Sequence, residues 1–461
     1  MRARIWMSSC SPMPSSPAKP EPSGSSSTPG AAADPPVTPL GRSLPQIHTP
    51  LPGPKTSALV DALARSESPA FTTRRARRAE QSGAPQDPIV WAEAVGSNVV
   101  DADGNVFVDL SGGFGVAAVG HRHPAVVAAI QSQAERLLHA LGDLHPSDVK
   151  IRLLERLAAL APQPEARVVL SLSGSDALTT AIKSAALHTG RPGVLAFEGG
   201  YHGLDHGPLA ACGYSEGFRT PFAGQLNPHV RFTAYGDVEA ARTAMDDTVG
   251  AILVEPIQGR GGCRVPPVGY LAALQALAEE RGAVLIVDEV LTGLYRTGVP
   301  FACMDPVDPL PRPPDLLCVG KALGGGMPIS ACIGSLAVMA SWGDPGAMAI
   351  HTGTFFGHPL GSAAALASLQ VLEDEALGAR ALAMEARLRE RLAPLTVRGR
   401  GLLLGVVPDQ PVLPLVRRLL ERGFLAIPAG MHAEIIQLVP PLTIDESLLD
   451  SFVDTLREVM A

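Results

Sequence analysis

Two chemically active side chains, a carboxylate and an amine, follow two consecutive apolar segments of this 461-residue chain. The segment AVLIVDE, residues 283–289, is a continuous apolar run of the kind expected for a strand buried in a parallel sheet, and it ends at Asp288. The segment LLCV leads into Gly320 and Lys321, which three more glycines follow within five residues. Open α/β sheets bind ligands at the carboxyl ends of their strands. The sequence therefore predicts that the acid and the amine face one crevice.

A carboxylate and a lysine amine in one crevice suit the chemistry of pyridoxal phosphate. That cofactor needs an amine with which to form a Schiff base, and an acid that keeps its pyridine nitrogen protonated. Protonation makes the ring an electron sink for the substrate carbon that bears the amine. A nucleotide site is the competing interpretation, but Ala322 follows Lys321 and no G-x-x-x-x-G-K-[ST] motif is present. Asp288 could also be an ordinary turn residue at a strand end.

Three further segments could complete such a site. Gly174 and Ser175 open a predicted helix, and the backbone N–H groups at a helix N-terminus suit a phosphate; an ordinary serine N-cap is the alternative. The strand GVLAF leads to Tyr201, whose ring could stack on a flat cofactor or fill the core at a bend. The strand GAILV ends close to Glu255.

The segment GFGVAA, residues 113–118, fits the G-x-G-x-x-A pattern of dinucleotide-binding proteins and follows the predicted strand VFVDL. Its next helix begins only after Pro124, and no strand that ends in an acid follows at the required distance. The sequence therefore favours a turn in a loop that lines the substrate site.

Composition and patterning predict the domain organisation. Hydrophobic residues make up 46% of the chain, enough for large cores. Residues 1–50 are rich in Pro and Ser and are predicted to be a disordered tail. Residues 51–118, with a hairpin at Asp103-Gly104, are expected to contribute to a small domain. Strands and helices alternate within residues 119–350, which predicts a large α/β domain with a mostly parallel sheet flanked by helices. Residues 351–461 form a predicted small α+β domain.

Several classes of partner are disfavoured. The net charge of −8 and the absence of a long basic run argue against nucleic acid. The most basic cluster, Arg74, Arg75, Arg77 and Arg78, is interpreted as a solvated helix face. No apolar run approaches the roughly 20 residues that span a bilayer. The six cysteines show neither pairing nor metal-ligand spacing, so we expect free thiols, no metal site and a cytoplasmic protein.

Eight segments in order give the chain its family resemblance. They are VDADGNVFVDLSGGFGVAAVGHRHP, SGSDALTTAIK, FEGGYHG, VEPIQG, LIVDEVLTGLYRTG, GKALGGGMP, HTGTFFGHP and PPL. From about residue 51 to the C-terminus the chain resembles the class III (ω-amino) aminotransferases, which are fold type I enzymes that use pyridoxal phosphate. The resemblance implies transfer of an amino group between an amine or amino acid and an oxo acid.

The resemblance also implies individual roles. Lys321 would carry the Schiff base and move the proton, and Asp288 would hold the pyridine nitrogen. The remaining cofactor-binding candidates are Gly174, Ser175, Tyr201, His202, Glu255, Val290 and Thr354. Thr354 matches a threonine that reaches the phosphate in the neighbouring subunit, so the resemblance implies a homodimer with its active site at the interface. The candidates for the substrate pocket are Phe114, Val116, His139, Asp143, Arg260 and Gln437.

The chain departs from the family pattern at four positions. Leu291 replaces a glutamine that usually contacts the cofactor's phenolic oxygen, and Gly320 stands where aminotransferases often have serine. Arg260 replaces a glutamate, and Gln437 replaces the arginine that the glutamate normally pairs with. These changes keep an isomerase, either a racemase or an aminomutase, open as the alternative function. A non-catalytic protein is a third hypothesis, which the retained Asp288 and Lys321 oppose.

Overall fold

The computed structural model describes residues 39–83, 89–342 and 351–461. The first strands along the described chain form a small antiparallel sheet. The strands are β1 (Trp91–Val95), β2 (Asn98–Asp101) and β3 (Val106–Asp109). Strands β2 and β3 pair antiparallel, which confirms the hairpin predicted at Asp103-Gly104. The first helices of the chain are α1 (Pro54–Ser66), α2 (Pro69–Ser82) and the single turn α3 (Gly112–Gly115).

Residues 39–50, which were predicted to belong to a disordered tail, lie against this sheet. The buried Asn98 amide accepts hydrogen bonds from the backbone N–H groups of Gly41 and Ser43 and donates one to the Ser43 carbonyl. Gln46 exchanges backbone hydrogen bonds with Val106. The predicted tail is therefore wrong for residues 39–50, because buried asparagines in the hairpin supply partners that composition does not reveal. Residues 1–38 lie outside the described residues.

The central sheet has seven strands. They are β4 (Arg167–Ser171), β5 (Gly193–Phe197), β6 (Val230–Thr233), β7 (Val249–Val254), β8 (Val284–Asp288), β9 (Leu316–Val319) and β10 (Ser330–Gly334). Their spatial order is β4-β10-β9-β8-β7-β5-β6, and only β10 runs antiparallel to its neighbours. Every residue of β7, β8 and β9 is buried. That burial explains their unbroken apolar runs and confirms the predicted, mostly parallel sheet.

Helices cover both faces of the central sheet. They are α4 (Pro124–Arg136), α5 (Asp148–Leu160), α6 (Gly174–Thr189), α7 (His206–Ala210), α8 (Glu216–Arg219), α9 (Val238–Ala244), α10 (Tyr270–Glu280) and α11 (Leu336–Met339). Successive residues of β8 enter different cores. Ile286 packs with Ala181 of α6, whereas Leu285 and Val287 pack with Leu274 of α10. The strand ends between these layers are therefore held from both sides.

The C-terminal region contains the remaining elements. They are α12 (Pro359–Asp374), α13 (Leu377–Leu392), β11 (Thr396–Arg400), β12 (Leu403–Val407), α14 (Val412–Glu421), β13 (Phe424–Leu425), β14 (Ile427–Ala429), β15 (Ile435–Leu438) and α15 (Glu446–Met460). β11, β12, β15 and β14 form a second small sheet, whereas β13 pairs parallel with β3. Helix α12 packs on α4 and α5, and Ser368 donates to the carbonyl of Ala322. Helix α12 thus packs with α4 and α5, although it lies beyond the domain boundary predicted at residue 350.

A buried arginine ties the loop after β8 to the C-terminal region. Arg296 is 1% exposed, and its guanidinium donates to the carbonyls of Leu402 and Pro440. The Leu402 N–H donates in return to the Arg296 carbonyl. Burial lowers the pKa of Arg296 to about 9. The loop that follows Asp288 is thus fixed by contacts with residues more than a hundred positions later in the chain.

In the part of the chain that the structure describes, no helix is both long and apolar enough to cross a membrane.

Candidate active site

The predicted acid and amine lie in one cavity of about 610 Å³ at the carboxyl edge of the central sheet. Asp288 is the last residue of β8, and Lys321 follows the adjacent strand β9 by two residues. The Lys321 backbone has a positive φ of 34°, so the chain turns sharply there into a short 3-10 helix, Lys321–Gly324. The ends of two neighbouring parallel strands therefore position Asp288 and Lys321 in the same cavity.

Asp288 is buried and held by two hydrogen bonds. One carboxylate oxygen lies 2.8 Å from the His202 Nδ1, and the other accepts from the Val290 N–H at 3.0 Å. Burial by itself would lower the pKa of His202, but the charges of Asp288 and Glu255 raise the pKa above its ordinary value. The His202 ring therefore lies against the Asp288 carboxylate and orients it by a hydrogen bond.

The Lys321 amine is predisposed to act as a nucleophile. Burial lowers the pKa of Lys321, and the charges of Asp288 and Glu255 offset part of that effect. A lower pKa raises the fraction of neutral amine near neutral pH, and only the neutral amine can attack a carbonyl carbon.

Glu255, just after β7, lies beside this pair. Its carboxylate accepts from the Tyr201 N–H at 2.8 Å and from the Gly259 N–H at 3.2 Å. Burial raises the pKa of Glu255 to about 7, while the His202 charge acts in the opposite direction. Because Glu255 bonds the backbone on both sides, it fixes the loop that carries Tyr201 against the turn that follows β7.

The N-terminus of α6 opens into the same cavity. Ser173 caps this helix by accepting from the Asp176 N–H, so the ordinary cap predicted as an alternative is present as well. A Cβ on Gly174 would lie 2.7 Å from a Val290 methyl carbon, and one on Gly203 would lie 2.5 Å from the Ser175 side chain. Only glycine fits at either point, because a Cβ there would overlap the packed side chain of Val290 or of Ser175.

The outer wall of the cavity is aromatic and cationic. The Arg260 guanidinium carbon lies 5.5 Å from the centroid of the Tyr201 ring and 5.2 Å from that of Tyr214, and the two rings meet edge to face. Burial raises the pKa of Tyr201. Arg260 is half-buried, and its side chain lines the cavity.

The structure separates the predicted substrate residues into two groups. Phe114, Val116, Arg260 and Gln437 line the main cavity with the cofactor-binding candidates. His139 and Thr354 instead line a separate small cleft with Gly357 and His358, and Asp143 acts electrostatically on Lys150 of that cleft. The candidates His139 and Asp143 therefore lie apart from the main cavity of this chain, because the segment between α4 and α5 turns toward residues 354–358.

Sequence reasoning missed several lining residues, above all Arg74. This residue of α2 was assigned to a solvated face, yet it lines the cavity together with Phe218, and its charge lowers the pKa of Tyr201 against the effect of burial. Arg74 lies on a helix that carries none of the motifs, so the sequence around it gives no local indication that it reaches the cavity. Phe218 lies in a stretch without any motif.

The cavity fits pyridoxal phosphate on structural grounds. The glycine-lined N-terminus of α6 offers backbone N–H groups to a phosphate. Val290 forms an apolar surface flanked by Gly174 and Gly320, where a Cβ would lie 3.3 Å from its methyl carbon. Asp288 at the end of β8 has a charge that suits a protonated ring nitrogen, and Lys321 supplies the amine.

The fold and this cavity together define a fold type I enzyme that depends on pyridoxal phosphate. The family model for class III aminotransferases matches residues 80–460. The chain belongs to that family and catalyses transamination.

Known relatives agree with this assignment. The chain is 39% identical over 382 residues to the acetylornithine aminotransferase of Mycobacterium tuberculosis strain H37Rv, covering 81% of this chain and 92% of the relative. It is 38% identical over 378 residues to that of Methanopyrus kandleri, covering 81% and 94%. Among solved structures, the ornithine aminotransferase of Toxoplasma gondii aligns with a TM-score of 0.74 at 31% identity, covering 88% of this chain and 97% of that one. An (S)-enantioselective ω-transaminase from Thermomicrobium roseum aligns with a TM-score of 0.74 at 27% identity, covering 81% and 92%.

Proposed function

We propose that this enzyme transfers an amino group from a primary amine or amino acid to an oxo acid, with Lys321 and Asp288 as its catalytic residues. The observation that carries the proposal is the convergence of these two side chains at adjacent strand ends beside the N-terminus of α6. Gly174 and Ser175 would bind the phosphate, and Val290 and Tyr201 would cover the ring. His202 and Glu255 would support Asp288 and the loops around it.

When bound, pyridoxal phosphate stabilises negative charge on the substrate carbon that bears the amine. Lys321 would carry the cofactor at rest and would then move the proton from that substrate carbon to a carbon of the cofactor, because its lowered pKa leaves a basic neutral amine. Asp288 would keep a proton on the ring nitrogen, and His202 would hold the Asp288 carboxylate at 2.8 Å in position for it. The apolar side of Val290 would exclude water from the ring.

The relatives suggest where to look for substrates. Two of the aligned relatives are acetylornithine aminotransferases and one aligned structure is an ornithine aminotransferase. The test incubates the purified holoenzyme with acetylornithine, ornithine, 4-aminobutyrate or a simple alkylamine, each with pyruvate or 2-oxoglutarate. We expect a new amino acid from at least one pair. Loss of optical activity without any transfer would instead identify an isomerase.

We also propose a homodimer. The segment after α4 exposes Leu138, Leu141 and Leu144, and Leu144 is 73% exposed. Phe355, beside Thr354, is exposed as well. Exposed leucines so close together in one chain are typical of a surface that a partner covers, and Thr354 would thereby reach the partner's phosphate site. Sedimentation at assay concentration should give a dimer, and a fully active monomer would refute this assembly.

A reducing compartment such as the cytoplasm is the proposed location. The five cysteines in the described residues are free, and Cys318 and Cys332 remain thiols although they face each other across β9 and β10.

A further inference from the structure

We propose that Arg260 selects substrates that bear a carboxylate, by binding that carboxylate from the turn after β7. The inference rests on the proposed function and names the substrate class of the same site. It also assigns the selecting cation to a position where the family resemblance leads one to expect an acid.

The position of Arg260 supplies the first argument. Its side chain lines the cavity that also contains Lys321 and Asp288, and its positive charge contributes to lowering the pKa of Lys321. The guanidinium packs against the rings of Tyr201 and Tyr214. Aromatic rings hold a guanidinium in place without neutralising its charge. The charge therefore remains available to a ligand in the cavity.

The unsatisfied donor of Arg260 supplies the second argument. Its Nε is buried and has no hydrogen-bond partner, and across the described ranges 39–83, 89–342 and 351–461 no carboxylate forms an ion pair with it. The nearby Glu255 carboxylate is already bonded to the N–H groups of Tyr201 and Gly259. A buried unpaired donor is costly. A carboxylate that binds two guanidinium nitrogens side by side would remove that cost.

The third argument is that the backbone of Arg260 is fixed from several sides. The Gly430 N–H donates to the Arg260 carbonyl at 2.9 Å, and the Tyr214 hydroxyl donates to the Gly430 carbonyl at 3.1 Å. The carbonyl of Gly259 accepts from the N–H groups of Gly262 and Cys263. A fixed backbone reduces the conformational entropy that is lost when the Arg260 side chain binds a ligand.

Gln437 completes this arrangement as a positioning residue. Its side-chain nitrogen donates to the Gly259 carbonyl at 2.7 Å and also contacts the Cys263 sulfur at 3.5 Å. The amide is thus engaged in holding the turn that carries Arg260. No carboxylate in the described residues pairs with Arg260, so the proposed preference for an anionic group applies to both the amino donor and the oxo-acid acceptor.

Binding of glutarate and glutaramide to the holoenzyme tests the proposal by calorimetry. Neither compound contains a reactive amine or oxo group, so binding is measured apart from turnover, and a failure of amino transfer stays distinguishable from a failure of carboxylate recognition. We expect glutarate to bind at least about tenfold more tightly than glutaramide. Arg260→Gln should remove about tenfold or more of the glutarate affinity and leave glutaramide unchanged, and Arg260→Lys should retain part of the preference.

Arg264→Gln is the matched control, since Arg264 lies in the same turn but packs over the Tyr235 ring outside the cavity lining. This variant should bind glutarate like the parent enzyme. Equal glutarate affinity in the parent and in Arg260→Gln would overturn the proposal. It would also be overturned if the parent enzyme did not distinguish the two compounds, or if Arg74→Gln alone abolished the preference.

Discussion

The inner and outer walls of the active-site cavity are built in different ways. The inner wall, with Asp288, Lys321 and Gly174, comes from strand ends and a helix start in the central sheet. The outer wall, with Arg74 and Arg260, comes from an N-terminal helix and a turn anchored to the C-terminal region. The inner residues are positioned by the buried sheet, whereas the outer ones depend on contacts between distant segments. We therefore expect changes to the inner wall to affect chemistry and changes to the outer wall to affect substrate choice.

The largest effect is expected from Lys321→Ala. Removing the amine removes both the proposed attachment point of the cofactor and the proposed base that moves the proton, so amino transfer should fall by at least about 1000-fold. Borohydride reduction followed by peptide mass spectrometry should locate the cofactor on Lys321 in the parent enzyme only. Substantial turnover by the variant would disprove the assigned role.

Asp288→Asn should give the next largest effect. The neutral amide cannot hold a proton on the ring nitrogen, so kcat should fall by about 100-fold or more. The N-terminus of α6, where we propose that the phosphate binds, is untouched, and the variant should still bind the cofactor. Stopped-flow measurement of a single half-reaction would separate the rate of the chemical step from cofactor binding. An unchanged rate constant would count against the proposed role of Asp288.

The titration of Lys321 should respond to the same substitution. Burial lowers the pKa of Lys321 and the Asp288 charge raises it, so the pKa should lie below 10.5 in the parent enzyme and lower still in Asp288→Asn. In the cofactor-free enzyme, acylation at Lys321 followed by mass spectrometry should therefore reach half its maximal rate at a lower pH in the variant. A shift to higher pH would contradict the electrostatic argument.

Arg74→Gln should have a small effect confined to the outer wall. Arg74 is exposed, and solvent screens its charge. We expect KM for an anionic substrate to rise by about fivefold or less, with kcat and cofactor content unchanged. Arg77, an exposed arginine on the same helix that is absent from the cavity lining, provides the control as Arg77→Gln. A large fall in kcat for Arg74→Gln would contradict the expectation that outer-wall residues affect substrate choice and not chemistry.

The sequence predicts the inner wall well and the outer wall poorly, for a physical reason. Strands β8 and β9 are recognisable in the sequence as apolar runs because both of their faces are buried. Their parallel pairing then brings Asp288 and Lys321 together. No such periodicity connects Arg74 to Tyr201 or Gly430 to Arg260, because those contacts depend on how separate segments pack. Residues 39–50 show the same limit, since the side chain of Asn98 and not their own composition determines their place.

The Arg296 contacts described above have a consequence for synthesis of the chain. The guanidinium that secures the loop after β8 donates to the carbonyl of Pro440, so this loop cannot reach its final state until residue 440 has left the ribosome. We expect a chain that ends at residue 434, before β15, to form the central sheet yet fail to retain pyridoxal phosphate on gel filtration. Residues up to Pro440 must therefore be synthesised before the loop beside the proposed cofactor site is held in place.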